Sequence, residues 1–206
     1  MSKRIYISAD YDNNNGDLNV VYMLKRWSED NLHSVDFTDM AEVRTGSVSN
    51  YDDCRICDLK SEFNKQINAS SGVIFIVGSN TANRKAGEKC DQAINPFCTN
   101  KCTPYKANAN GLCSCKYNYL TGLLNLGDDS NVNPINSYSY LRHEFEQAKK
   151  KGKKILILYN SLYRNNNWLP GYMKGFEGFA HPFWTKDAWG NKIGNYRLIR
   201  EFVNKC

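Results

Sequence analysis

The chain has 206 residues, 41% of them hydrophobic and 23% charged, with a formal net charge of +6. That length gives one well-buried domain with room for an insertion and excludes two sizeable domains, and the composition is that of an ordinary globular protein. The longest apolar runs, such as Val73–Val77 and Ile155–Tyr159, are far below membrane-spanning length, and no signal-type apolar region precedes the first strand pattern. A soluble cytoplasmic protein is therefore expected, with no membrane partner. Part of the positive charge lies in Lys149–Lys154, where a helix ends and cations complement its dipole. No zinc-finger or RNP-type signature accompanies that run, so no nucleic acid is expected as a partner. The eight cysteines read as reduced thiols or metal ligands before disulfides.

In chain order, Lys3–Ser8 is a short apolar run with charged flanks, as a central parallel strand requires. Ala9–Asp17 is a loop dense in turn formers. Leu18–Asp30 carries Val20, Val21, Leu24 and Trp27 at helical spacing, with Asp17 as its N-cap. Ser34–Phe37 reads as a second short strand, followed by a polar loop to about Asn50. Asp52–Ala69 places Ile56, Leu59, Phe63 and Ile67 on one helical face. Val73–Val77 is a buried strand, and Gly78–Arg84 is its loop. Regularity then stops. Residues 85–138 hold Cys90, Cys98, Cys102, Cys113 and Cys115 among Gly, Pro and Asn, an insertion within the one domain. The pattern resumes with a helix from Ser139, a glycine stop at Gly152 and a buried strand Lys154–Tyr159. A tail rich in Gly and aromatics leads to a last helix, about Tyr196–Asn204.

Alternating strands and helices imply a parallel sheet of about five strands covered by helices, and the flavodoxin-like order 2-1-3-4-5 is the expectation. Ligands of such sheets sit beyond the carboxyl ends of the strands, here at the loops after strands 1 and 3. The first offers Asp10, Tyr11 and Asp12, the second Ser79, Asn80, Thr81 and Arg84. Turn chemistry alone also accounts for Asp, Asn and Ser there. A phosphoacceptor receiver domain would need an aspartate where the chain has Gly78-Ser79-Asn80. On the helix after the insertion, Tyr138, Leu141, Phe145 and Ala148 make one stripe. Glu144 lies about 40–60° from Ala148 and Leu141 and so borders the core, whereas Glu146 falls on the other flank and His143 on the polar face. The blander reading of Glu144 is a surface carboxylate near a positive helix end.

Other constellations are thin. The insertion spacing C-x7-C-x3-C-x10-C-x-C offers one zinc-knuckle pair, Cys98–Cys102, and no metal is expected. Cys54 and Cys57 lie inside an amphipathic helix, where cysteine is often a small hydrophobe. His33, His143 and His181 share no surroundings that suggest a catalytic triad.

Three segments together, KRIYISADYD, SSGVIFIVGSNTANR and YLRHEFEQAKKKGKKILILYN, resemble a TIR-like domain, and in particular the TIR-like subunits of Thoeris anti-phage defence systems. Ser8 and Tyr11 fall in the first motif, Gly78, Ser79, Thr81 and Arg84 in the second, Arg142 and Glu144 in the third. The resemblance covers about Lys3–Arg84 and Ser139–Asn160; members of the family usually pass almost directly from the strand-3 loop to the glutamate helix, without such an insertion. It implies an NAD+ glycohydrolase or ADP-ribosyl cyclase with Glu144 as catalytic carboxylate. Ser8, Ala9, Asp10, Tyr11, Ser79, Asn80, Thr81 and Arg84 would bind NAD+, which is the substrate, with no further cofactor. The product would be a second messenger acting on a downstream effector, with homo-oligomerisation left open. The alternative is a non-catalytic TIR-type protein–protein interaction module.

Overall fold

The structure is a computed structural model that describes residues 3–9, 17–29, 35–39, 55–83 and 140–206. The cysteine-rich stretch 85–138 and the candidate ligand residues Asp10, Tyr11 and Arg84 lie outside the described residues.

Five strands form a parallel sheet: β1 (Lys3–Ser8), β2 (Val35–Asp39), β3 (Gly72–Val77), β4 (Lys154–Tyr159) and β5 (Ala180–Pro182), in the order 2-1-3-4-5. The register sets Ser8 opposite Phe75, and Val77 opposite Tyr159. All six residues of β3 are buried, as are Ile5–Ser8 of β1 and Ile155–Tyr159 of β4, because both faces of the sheet are covered. Side chains alternate along a strand, so each strand feeds two cores. Tyr6, Val73, Phe75, Ile157 and Tyr159 face α2 (Arg55–Ala69) and α3 (Tyr140–Lys150), which contribute Phe63, Ile67, Leu141 and Phe145. Ile5, Ile7, Ile74, Ile76 and Leu158 face α1 (Asp17–Glu29) and α4 (Tyr196–Lys205), which contribute Val20, Leu24, Ile199 and Val203. Among the described residues, no helix is long and apolar enough to cross a membrane.

Local chemistry explains the boundaries. Gly152 stops α3 with φ of +61°, where its N–H and that of Lys153 close onto the Lys149 and Ala148 carbonyls at 3.0 and 2.9 Å. The Asn195 side chain caps α4 by accepting from the Leu198 N–H at 3.2 Å. At the other end of α4, Lys3 Nζ donates to the carbonyls of Val203 and Asn204, both at 3.0 Å, and Lys154 Nζ donates to that of Lys205. These ammonium groups sit on the negative end of the helix dipole.

The periodic segments emerge close to expectation, and the tail does not. β5 is the fifth strand. It is followed by a hairpin of β6 (Trp184–Lys186) and β7 (Lys192–Gly194), antiparallel, with Asp187 accepting from the Trp189 and Asn191 backbone at its tip. Three-residue strands carry no readable period. Asp17 sits inside the first turn of α1 and is wholly buried, not outside it as a cap. His143, expected on the polar face of α3, is also buried, with Nε2 3.1 Å from Asn64 Oδ1 on α2. The wheel assigned that flank to solvent, and α2 covers it.

Candidate active site at the carboxyl edge of the sheet

Because side chains repeat every second residue, Tyr6 and Ser8 of β1 project to the same face, toward α3. α3 packs there through Leu141, Phe145 and Ala148, with Phe145 edge-on to Phe75 at 5.4 Å. That docking turns Glu144 inward. Its side chain is 0% exposed, and its carboxylate receives two hydroxyls: Tyr6 Oη donates to Oε1 at 2.7 Å, and Ser8 Oγ donates to Oε2. A buried carboxylate is costly unless donors replace its water, and these two hydroxyls, both from the end of β1, contribute to that. Glu146, two residues on, is half exposed and paired with Arg142 at 2.9 Å. The structure thus separates the two glutamates sharply, and only Glu144 reaches the end of β1.

The strand-3 loop divides by role. Thr81 is buried, and its Oγ1 accepts from the Gly78 N–H at 2.9 Å while its own N–H donates to the Gly78 carbonyl at 3.2 Å. It therefore pins the turn that follows β3. Ser79 and Asn80, between them, are exposed at the crest of that turn. Ala9 is buried in the apolar cluster under α1, on the face of the sheet opposite Glu144. Of the residues expected at the site, Ser8 and Glu144 are joined directly.

A second polar group lies at the same edge, on the α1 side. The Asp17 carboxylate is buried, and Asn160, just past β4, donates to its Oδ1 at 3.2 Å. The Asn160 N–H reaches the Val77 carbonyl at 3.0 Å, and its Oδ1 accepts from the Trp184 indole N–H at 3.0 Å. Gly78 lies so close that a Cβ there would stand 2.9 Å from Asp17 Oδ1. This network binds the ends of β3 and β4 to α1 and the tail. At the end of β4, burial pushes the Tyr159 phenol above its ordinary value, and its hydroxyl lies 3.3 Å from Asn166 Oδ1.

Sequence reasoning missed Tyr6, Asp17 and Asn160. Tyr6 was within reach, since strand alternation places it on the face of Ser8. Asp17 and Asn160 are 143 residues apart, and no local signal joins them. Among the described residues, no group of three or more His, Cys, Asp or Glu could hold a metal ion. Chemically, the Tyr6–Ser8–Glu144 group offers one carboxylate for stabilising positive charge or holding hydroxyls, with the Tyr6 and Ser8 hydroxyls among its donors. No protein-family model and no curated protein matches this chain.

Proposed function

We propose that the chain is a TIR-like enzyme that cleaves NAD+ at the nicotinamide–ribose bond, with Glu144 as the catalytic carboxylate. The observation that carries this reading is the burial of Glu144 at the carboxyl end of β1 between the Tyr6 and Ser8 hydroxyls. The likeness of three sequence segments to the TIR-like subunits of Thoeris defence systems supports it. On this reading the fold is flavodoxin-like, residues 1–206 form one domain, 85–138 are an insertion in it, and the protein works in the cytoplasm.

The chemistry asks little of the protein beyond that carboxylate. Cationic nicotinamide leaves as a neutral base, so the step needs no general acid, unlike the two-carboxylate arrangement of most glycosidases. As the C–N bond breaks, its electron pair goes to the nicotinamide ring nitrogen and positive charge develops on the ribose. An ionised Glu144 stabilises that charge and accepts hydrogen bonds from the ribose hydroxyls. Those hydroxyls take the places of the Ser8 and Tyr6 donors, so NAD+ reaches Glu144 only as that group opens. Capture of the ribosyl cation by water, with loss of a proton, gives ADP-ribose. Capture by a hydroxyl or ring nitrogen of the same molecule gives a cyclic isomer, which would act as a second messenger on a downstream effector in anti-phage defence. Ser79 and Asn80 at the exposed β3 turn, with Arg84, Asp10 and Tyr11, would meet the rest of the nucleotide.

Glu144→Gln keeps the shape and removes the charge. It should abolish NAD+ consumption and product formation, followed by mass spectrometry in cells expressing the protein during phage infection, while retaining the denaturation profile of a folded protein. Turnover at the parent rate by a folded Glu144→Gln protein would sink the enzyme reading.

One observation favours a second reading, a non-catalytic TIR-type interaction module. Glu144 is wholly enclosed and met by two hydroxyls, as a purely structural buried network would be. Self-association in infected cells with no release of nicotinamide would select that reading.

A further inference from the structure

A cavity of about 420 Å³ lies beside the amino end of β4, whereas Glu144 meets the carboxyl end of β1. Among the described residues its apolar lining is Ile155 and Leu156 of β4, Phe176 and Phe179 ahead of β5, and Leu198 and Phe202 of α4. Ile155 and Leu156 are buried. Phe176 is held from behind by Phe145 of α3, edge-on at 5.0 Å, and Phe179 stands beside it with ring centres 5.6 Å apart. Phe179 is nevertheless 54% exposed, an aromatic ring left half in water at an apolar cavity. The charged residues of the lining are engaged elsewhere. Lys153 Nζ donates to the Asn68 and Ser70 carbonyls at 2.8 and 2.6 Å, and Lys154 Nζ donates to that of Lys205. Those two lysines therefore offer the cavity their methylene stems. Glu201 is shared with Arg197 at 3.5 Å, and Lys205 is exposed to solvent. His181 completes the lining. Burial first, and the Arg164 guanidinium second, hold its imidazole below the ordinary value, so the ring is uncharged at neutral pH.

We infer that this cavity binds an uncharged aromatic small molecule of two or three fused rings. Size sets the number of rings. An apolar cavity of about 150 Å³ accepts one benzene, and this one is nearly three times as large. The lining sets the charge. A charged ligand would give up its water here for carbon and for a neutral imidazole, a cost with no counter-charge to offset it. Aromatic character follows from Phe176, Phe179 and Phe202, which offer ring edges and faces to a further ring at the spacing Phe176 and Phe179 already adopt with each other. The gain is the area removed from water, with the exposed half of Phe179 included. Phe176 belongs to the core on the α3 side, and Leu198 and Phe202 belong to the core on the α4 side. A bound ring system therefore touches both cores and stabilises the folded chain. The site stands independently of Glu144 and of any reaction there.

The test titrates the full chain with prodan, an uncharged naphthalene dye whose emission rises and shifts to the blue in apolar surroundings. Saturable binding of one dye per chain is expected, together with a higher thermal midpoint. Naphthol should displace the dye. Naphthalene sulfonate, with the same rings and a charge, should compete about tenfold less well, and decahydronaphthol, with the same skeleton and no aromatic ring, about threefold less well. Phe179 is half exposed, so F179E should keep the parent's denaturation midpoint and weaken binding about tenfold. Leu198→Trp should fill the cavity and abolish binding. Trp189, 85% exposed on the hairpin, serves as the control, and Trp189→Ser should bind as the parent does. Absence of saturable binding to the parent chain overturns the proposal. So does binding that is unchanged in F179E and Leu198→Trp or lost in Trp189→Ser, and so does displacement by the sulfonate or the saturated alcohol as effective as that by naphthol.

Discussion

Tyr6→Phe is the most direct probe of the candidate site, because it removes one hydroxyl and little else. Tyr6 is 0% exposed and its hydroxyl lies 2.7 Å from Glu144 Oε1. Ring volume is conserved, so the cavity contribution is small. What is lost is a hydrogen bond to a buried carboxylate, worth about 1.5–3 kcal/mol. For a chain of this size each kcal/mol lowers the melting temperature by about 2–4 °C. The cost should depend on the charge of its partner: in a Glu144→Gln background the acceptor is neutral, and Tyr6→Phe should cost about 0.5–1.5 kcal/mol. Urea denaturation of the parent, both single variants and the double variant measures the coupling, expected at about 1 kcal/mol or more. If Tyr6→Phe costs the same in both backgrounds, or under about 0.5 kcal/mol in the parent, the hydroxyl does not hold the carboxylate and the argument fails.

Gly78→Ala should destabilise by about 1–3 kcal/mol, because its Cβ would stand 2.9 Å from an Asp17 Oδ1 already held by Asn160. Shortening Asp17 to Ser should recover part of that loss, and a Gly78→Ala protein of parent stability would refute the close approach. A pH effect follows from His181. Burial first, and the Arg164 guanidinium second, hold its imidazole below the ordinary 6.5. The unfolded chain then binds the proton first, so His181 adds stability above about 6.5 that is lost as pH falls from there through its lower folded value. His181→Gln should flatten the denaturation midpoint on the acid side of 6.5, and an unchanged slope there would contradict the assignment.

The sheet was legible because its central strands are covered on both faces and therefore read as unbroken apolar runs, Val73–Val77 most clearly. Glu144 was legible as a residue beside the apolar stripe of α3, and it proves more deeply enclosed than the wheel alone suggested. His143 shows the limit of that method. A helical wheel divides a helix into core and solvent, but α2 lies along the flank of α3, and Asn64 gives the imidazole a polar partner there. The Asp17–Asn160–Trp184 group was out of reach for a different reason. Each residue is ordinary in its own neighbourhood, and only the parallel sheet brings the start of α1 to the end of β4. β5 was hidden because three residues are too few to show a period.

The contact between Lys3 and the end of α4 bears on how the protein is made. Lys3 Nζ reaches the Val203 carbonyl across 200 positions of sequence, and Ile199 and Val203 cover the same apolar face as Ile5 and Ile7. A ribosome adds about 5–20 residues each second, and amino-terminal segments emerge first. The strand β1 therefore leaves the ribosome well before the helix that completes its cover has been synthesised. For that interval α1 is, among the described helices, the one on that side able to shield it, and the nascent chain presents an incompletely covered apolar surface. Fastening β1 with a helix 200 positions further along the chain leaves that surface open to chaperones or to aggregation until α4 is made.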